Sequence, residues 1–65
     1  MNETLKELRI KQKREELNLT QKQIADKIGI AESAYQRYEY GRLPNAKMAV
    51  KIARALKTTV EELYG

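Results

Sequence analysis

Residues 20–41 read TQKQIADKIGIAESAYQRYEYG, and their pattern indicates which fold the domain adopts. Thr20 stands three residues before Gln23, a spacing typical of a capping box at the start of a helix. The apolar residues that follow share one helical face: Ile24, Ala25 and Ile28. Gly29 then supplies the conformational freedom needed to leave the helix. We therefore predict a helix of about two turns that begins at Gln21.

A second helix is predicted three residues later, from Glu32 to Tyr40, with Gly41 at its end. On this helix Tyr35 and Tyr38 share an inward-facing side. Two short helices joined by a glycine-containing turn form a helix-turn-helix, whose second helix enters the major groove of DNA. The stretch thus predicts a DNA-reading helix that turns its tyrosines into the core.

Further helices are predicted on both sides of this pair. Residues 3–17 lack Gly and Pro and consist mainly of strong helix formers, so they are expected to form the first helix. Asn45 is placed to cap a fourth helix. The apolar stripe of that helix has the clearest helical spacing in the chain: Ala49, Ile52, Ala53 and Leu56. Thr59 caps a last short turn in which Leu63 returns to the core. Because the alternation typical of strands is absent, the predicted fold class is all-α with five helices.

Composition limits the possible chemistry. With 65 residues, the sequence is expected to form one small domain over residues 1–65. It has no Cys and no His, which excludes disulfides, thiolate chemistry and nearly every zinc or catalytic-triad site. We therefore expect no enzyme activity, no metal and no cofactor. Thirteen Lys and Arg against nine Asp and Glu give a net charge of +4, which favours a polyanionic partner. The sequence has no signal peptide or membrane span, so we expect a cytoplasmic protein with no membrane partner.

Residues spaced along the chain resemble the XRE family, the phage-repressor and Cro type of helix-turn-helix. The resemblance covers about residues 10–63, and the matching elements follow in this order: Arg14, Thr20-Gln21, Ile24-Ala25, Gly29-Ile30, Glu39-x-Gly41, Pro44, Ala55-Leu56 and Glu62-Leu63. It implies a compact five-helix lambda-repressor-like domain with the helix-turn-helix at helices 2 and 3. It also implies a small transcriptional regulator, in particular a repressor, that binds double-stranded DNA in a sequence-specific way. Members of such families read a palindromic operator as homodimers. The sequence shows no evident site for a small-molecule ligand.

The resemblance places the base-reading positions on the third helix at Glu32, Ser33 and Arg37, with Gln36 beside them. These four positions form one helical face, opposite the two inward tyrosines. Arg37 suits a bidentate contact to guanine, Ser33 serves either base type, and Glu32 either accepts from cytosine or repels a phosphate. Two alternatives stay open. Glu32 is also a favourable acidic residue for a first helical turn, and Gln36 and Arg37 also suit a solvated helix surface.

A second group of residues is expected to contact DNA phosphates: Gln21, Lys22, Tyr40, Arg42, Asn45 and Lys47. Gln21 is similar to the family glutamine at the start of the second helix, where free N–H groups and the helix dipole favour an anion. The alternative for Gln21 is to complete a solvated first turn. Tyr40 is equally well explained as a plain surface tyrosine.

Arg14 and Glu39 look like the family's structural pair, in which an arginine of the first helix meets the glutamate that ends the recognition helix. Such a pair would fix the angle of that helix. In contrast to this pair, three positions depart from the family pattern. Ala31 occupies the usual Ser or Thr N-cap, and Lys13 stands where the family has a buried leucine. Lys57 replaces the usual Gly or Asn after helix four, so we expect a less tightly turned corner there.

The first helix has apolar residues on two sides. Ile10 and Leu17 share one face, while Leu5 and Leu8 lie nearly opposite. We expect the second pair to pack under the chain ends or to contact another subunit, and two further residues are similar candidates: Val50 and Tyr64. This pair motivates an alternative function, a protein-interaction module such as an antitoxin-like partner with secondary DNA binding. Isolated exposed apolar residues are normal, however.

Overall fold

Five α-helices follow one another in the computed structural model, which describes the backbone of residues 2–65 and the side chains of residues 9–65. They are α1 (Asn2–Glu16), α2 (Gln21–Ile28), α3 (Glu32–Glu39), α4 (Ala46–Ala55) and α5 (Val60–Tyr64). Within this described part there is no β-strand, so the predicted all-α class is confirmed, with the helix-turn-helix at α2 and α3. α3 ends at Glu39, one residue before the predicted Tyr40. Tyr40 leaves the helical conformation, with φ −87° and ψ 6°, ahead of the turn at Gly41.

All five helices share one core. α3 packs against α2 and α1, α4 packs against α2, and α5 packs against α1 and α4. The largest fully buried side chains come from every helix or its end: Tyr35, Ile10, Ile24, Ile52, Leu56 and Leu63. The stripe predicted on α4 is buried throughout. Because burial of apolar surface is the main favourable term in folding, this shared core fixes the positions of the five helices relative to one another.

The helices begin at the caps expected from the sequence. Thr20 and Gln23 form the predicted capping box, in which the Gln23 amide donates to Thr20 Oγ1 at 3.0 Å and the Thr20 amide donates to Gln23 Oε1 at 2.8 Å. Asn45 and Thr59 cap α4 and α5 through their side-chain oxygens. Ala31 gives α3 no side-chain cap, which leaves out about 1 kcal/mol of stabilisation at that end.

The first four helices end in the same way. Each is followed by a residue with a positive φ: Asn18 at 58°, Gly29 at 79°, Gly41 at 109° and Lys57 at 56°. The amide after each of these residues bonds back to a carbonyl five positions earlier: Leu19 to Arg14, Ile30 to Ala25, Arg42 to Arg37 and Thr58 to Ala53, at 2.9 to 3.2 Å. This is the Schellman arrangement, which satisfies free carbonyls and turns the chain sharply. It explains how short connections suffice between the helices.

Lys57 corrects one expectation. We expected a looser corner after α4, yet Lys57 adopts the left-handed conformation and its amide bonds to the Arg54 carbonyl at 3.1 Å. The corner closes because Leu56 is buried just before it and the Thr58 amide bonds to Ala53. The backbone of Lys57 is therefore held in a left-handed conformation that costs an L-residue about 1–2 kcal/mol.

Glycine at this corner is expected to stabilise the domain. Lys57→Gly removes the Cβ that makes a positive φ unfavourable, and part of this gain is offset by the greater freedom of glycine in the unfolded chain. We expect the free energy of unfolding to rise by about 0.5–1 kcal/mol, measured by urea denaturation. Lys57→Ala, which keeps the Cβ, is the matched control and should give no such gain. A lower stability for the glycine variant would contradict this explanation.

The structure also gives the surroundings of other residues whose packing the sequence left open. Val50 is 39% exposed, whereas Tyr64 packs against the core and its burial raises its pKa to about 12. Lys13 stays partly exposed and lies 3.9 Å from Glu16. The side chains of Leu5 and Leu8 lie outside the described residues. In the part of the chain described, no helix has the length and apolar character needed to cross a membrane.

Candidate nucleic-acid interface

α3 presents one polar face and buries the other. Glu32, Ser33 and Arg37 are exposed, and Gln36 beside them is half-buried. Tyr35 on the opposite side is fully buried in the core. The structure therefore brings the four predicted base-reading residues onto one accessible side of a helix that is anchored from behind.

An arginine–glutamate pair joins α1 to the end of α3. Arg14 Nε donates to Glu39 Oε2 at 2.6 Å, and Arg14 Nη2 donates to Glu39 Oε1 at 3.3 Å. The remaining Arg14 Nη1 donates to the Leu19 carbonyl at 2.9 Å. The two side chains are only 11% and 6% exposed, so water screens their attraction weakly. The pair expected from the family resemblance is thus present as a two-pronged contact.

The surroundings of Glu39 keep its carboxylate ionised. Burial acts to raise the pKa of Glu39, but hydrogen bonds from Arg14, with further contributions from Tyr35 and Gln21, outweigh burial and lower it. The hydrogen bond to Glu39 likewise raises the pKa of Arg14. The buried Tyr35 hydroxyl lies near the carboxylate without a protein hydrogen bond of ordinary geometry, and burial raises its pKa. At neutral pH the carboxylate of Glu39 therefore only accepts hydrogen bonds.

Two glutamines extend this pair towards the surface. Gln21 Nε2 donates to Glu39 Oε1 at 3.0 Å, and Gln36 Nε2 donates to Gln21 Oε1 at 3.0 Å. From the sequence, Gln21 is expected at a phosphate and Gln36 at the bases, whereas the contact between the two side chains is not expected. One feature of the sequence points to this contact. Gln36 and Glu39 are three positions apart on one helix and therefore share a face, and α2, which carries Gln21, packs against that helix.

The remaining residues expected at phosphates lie at the starts of α2 and α4 and in the connection between α3 and α4. Lys22 pairs with Asp26 at 3.3 Å, but both side chains are about 70% exposed, and such pairs contribute little. Asn45 Oδ1 accepts from the Met48 amide at 2.8 Å. Three more residues are exposed: Tyr40, Arg42 and Lys47. The six residues are therefore not joined by one contact network, although each lies beside the helix-turn-helix or in the segment that follows it.

Arg42 has a partner of a different kind. Its guanidinium carbon lies 5.8 Å from the centre of the Tyr38 ring, within the range of a cation–π contact. Arg42 is exposed, and its contact with the ring face does not use up its guanidinium N–H donors. Among the described residues, neither Arg37 nor Lys47 takes part in an ion pair.

Comparison with known proteins gives three matches that agree with one another. A family model described as helix-turn-helix matches residues 10–63. The cryptic phage CTXphi transcriptional repressor RstR of Vibrio cholerae is 45% identical over 58 residues, which is 88% of this chain and 52% of that protein. An uncharacterized HTH-type transcriptional regulator of Archaeoglobus fulgidus is 33% identical over 57 residues, which is 86% of this chain and 80% of that protein. The chain thus spans about half the length of the phage repressor. No solved structure matches it significantly.

Proposed function

Because the chain belongs to the XRE-type helix-turn-helix family, we propose that it is a transcriptional regulator that binds double-stranded DNA through the polar face of α3. The observation that carries this proposal is the clustering of Glu32, Ser33, Gln36 and Arg37 on one accessible side of α3. A helix that reads bases must expose such groups while its back is held rigidly. Tyr35 and the Arg14–Glu39 pair supply that support.

Phosphate contacts would set the position of α3 in the groove. Gln21 still has one amide hydrogen beyond the one given to Glu39, and Asn45 has a free amide nitrogen although its oxygen caps α4. Lys22, exposed beside its weak partner, is available to a stronger anion. Three exposed side chains complete the proposed set: Tyr40, Arg42 and Lys47. The net charge of +4 supports attraction to a polyanion.

We propose that residues 1–65 act as one DNA-binding domain in the cytoplasm and that two copies bind a palindromic operator with half-sites about one helical turn apart. The name of the phage relative supports repression over activation. Binding of this kind requires no catalysis, cofactor, membrane or small-molecule ligand. The antitoxin-like alternative depends on Leu5 and Leu8, whose side chains are outside the described residues, so no observation favours it.

Two alanine variants should separate base reading from phosphate binding. Arg37→Ala should weaken binding to the preferred site by about 1–3 kcal/mol and relax specificity at one base position. Lys47→Ala should weaken all duplexes alike and reduce the salt slope by about 1. Both side chains are exposed, so neither change should unfold the domain. The measurement is a fluorescence anisotropy titration at several salt concentrations, on the preferred duplex and on a scrambled one. Equal losses for Arg37→Ala on both duplexes would contradict a base-reading role.

A further inference from the structure

A chain of hydrogen bonds runs from beneath α3 to its polar face. It begins at Arg14, passes through the Glu39 carboxylate and Gln21, and ends at Gln36. The first two side chains are nearly buried, and the two glutamines are half-buried. This hydrogen-bond chain therefore connects a rigid charged pair inside the domain to a side chain at the proposed DNA surface.

The carboxylate determines how the first glutamine is turned. A glutamine amide has a donating end and an accepting end, and an ionised carboxylate only accepts. Gln21 must therefore direct its Nε2 at Glu39 Oε1, the arrangement seen at 3.0 Å. If its amide were turned over, two oxygens would face each other beside a nearly buried charge. The Gln21 oxygen is thus left to face the other way.

The Gln21 oxygen in turn determines how the Gln36 amide is oriented. The Gln21 oxygen only accepts, so Gln36 must direct its Nε2 towards that oxygen, as observed at 3.0 Å. One N–H and the carbonyl oxygen of Gln36 then remain for an external partner. A single donor beside a single acceptor is the pattern that complements adenine in the major groove, where N7 accepts and N6 donates.

We infer that Gln36 reads an adenine and that the hydrogen-bond chain through Gln21 to Glu39 makes it reject guanine. This inference rests on the proposed DNA-binding function. Guanine offers two acceptors, N7 and O6, so one of them would face the Gln36 oxygen. A free glutamine could avoid that clash by presenting both Nε2 hydrogens to N7 and O6. In this protein that movement would withdraw the Nε2 hydrogen that Gln36 donates to the Gln21 oxygen and leave that oxygen without a donor, so Gln21 acts as a positioning residue.

The test compares operators that differ at one base pair. The preferred site of the wild type is first obtained from randomised duplexes, and each base pair is then varied in anisotropy titrations at fixed salt. We expect one position at which adenine is preferred over guanine by about 5- to 150-fold, the range of a bidentate contact. Gln36→Ala should bring the ratio at that position close to one and leave the preferences elsewhere in the site.

The positioning role is tested by Gln21→Met with Lys22→Met as its matched control. Both replace neighbouring residues proposed to contact phosphate, so both should weaken binding to every duplex. Only Gln21→Met should also lower the adenine-to-guanine ratio, because Lys22 is outside the hydrogen-bond chain. Thermal melting of each variant checks that the domain is folded.

The outcomes separate this inference from the proposed function. If the wild type prefers no duplex, the proposed function fails. If it selects a site but Gln36→Ala leaves every base preference unchanged, the inference that Gln36 reads a base is overturned. If Gln21→Met weakens all duplexes with an unchanged adenine-to-guanine ratio, Gln36 reads without the hydrogen-bond chain and the positioning role is overturned. A ratio lowered by Gln21→Met and retained by Lys22→Met supports the whole inference.

Discussion

Replacing Glu39 with alanine should lower the free energy of unfolding by about 3–5 kcal/mol. The change leaves the Arg14 guanidinium, 11% exposed, without its carboxylate, and it also removes the acceptor of Gln21. An unpaired charge in such a place costs far more than a surface ion pair contributes. Because a domain of this size has a total stability of about 3–5 kcal/mol, the variant should be largely unfolded at 25 °C. Urea denaturation followed by circular dichroism, with an osmolyte added to populate the folded state, measures the effect.

The chain supplies a matched control for this prediction. Glu16 also faces a basic residue, Lys13, but at 3.9 Å and with its side chain 68% exposed. Glu16→Ala should therefore change stability by less than about 0.5 kcal/mol. Replacing the whole pair, with Arg14→Met and Glu39→Leu together, should recover much of the loss, since no charge is stranded. A loss below about 1 kcal/mol for Glu39→Ala would show that the pair does not hold α3 in place.

Tyr35→Ala should cost a comparable amount, about 3–5 kcal/mol, for a different reason. Tyr35 is fully buried and is the one α3 side chain in the buried core, so truncation leaves a cavity beneath the proposed recognition helix. Tyr35→Phe keeps the ring. Because the hydroxyl has no protein hydrogen bond of ordinary geometry, the phenylalanine variant should lose about 1 kcal/mol or less. The same denaturation measurement applies to both variants.

An exposed tyrosine on the same segment serves as the control for truncation. Tyr40 is 81% exposed, so Tyr40→Ala should change the free energy of unfolding by less than about 0.5 kcal/mol. If Tyr35→Ala and Tyr40→Ala had similar effects on stability, the burial of Tyr35 would not be what anchors α3. The two variants therefore test the packing that supports the polar face.

The elements that could be predicted from the sequence are those set by local chemistry. Thr20 and Asn45 cap helices because their side-chain oxygens reach an amide three residues ahead, and this depends on spacing alone. Gly29 ends α2 because it adopts a positive φ easily. The stripe on α4 follows from helical periodicity. These features use neighbours along the chain, so a single sequence contains the information.

Other features depend on tertiary packing and were not predictable in this way. Lys57 takes a positive φ that a lysine does not favour, because the buried residue before it and the hydrogen bonds around the corner outweigh the local cost. The contact from Gln36 to Gln21 spans 15 positions and exists only once α2 and α3 are packed. The Arg14–Glu39 pair spans 25 positions, and it was expected only from the resemblance to a family.

Selection of bound duplexes from a randomised pool would show whether this domain recognises a particular DNA sequence through α3. Selection at roughly physiological salt is appropriate, because non-specific phosphate binding is already weak there. We predict enrichment of an inverted repeat whose half-sites are about 10 base pairs apart. If the folded protein enriches no sequence from the pool, sequence-specific recognition through α3 is contradicted.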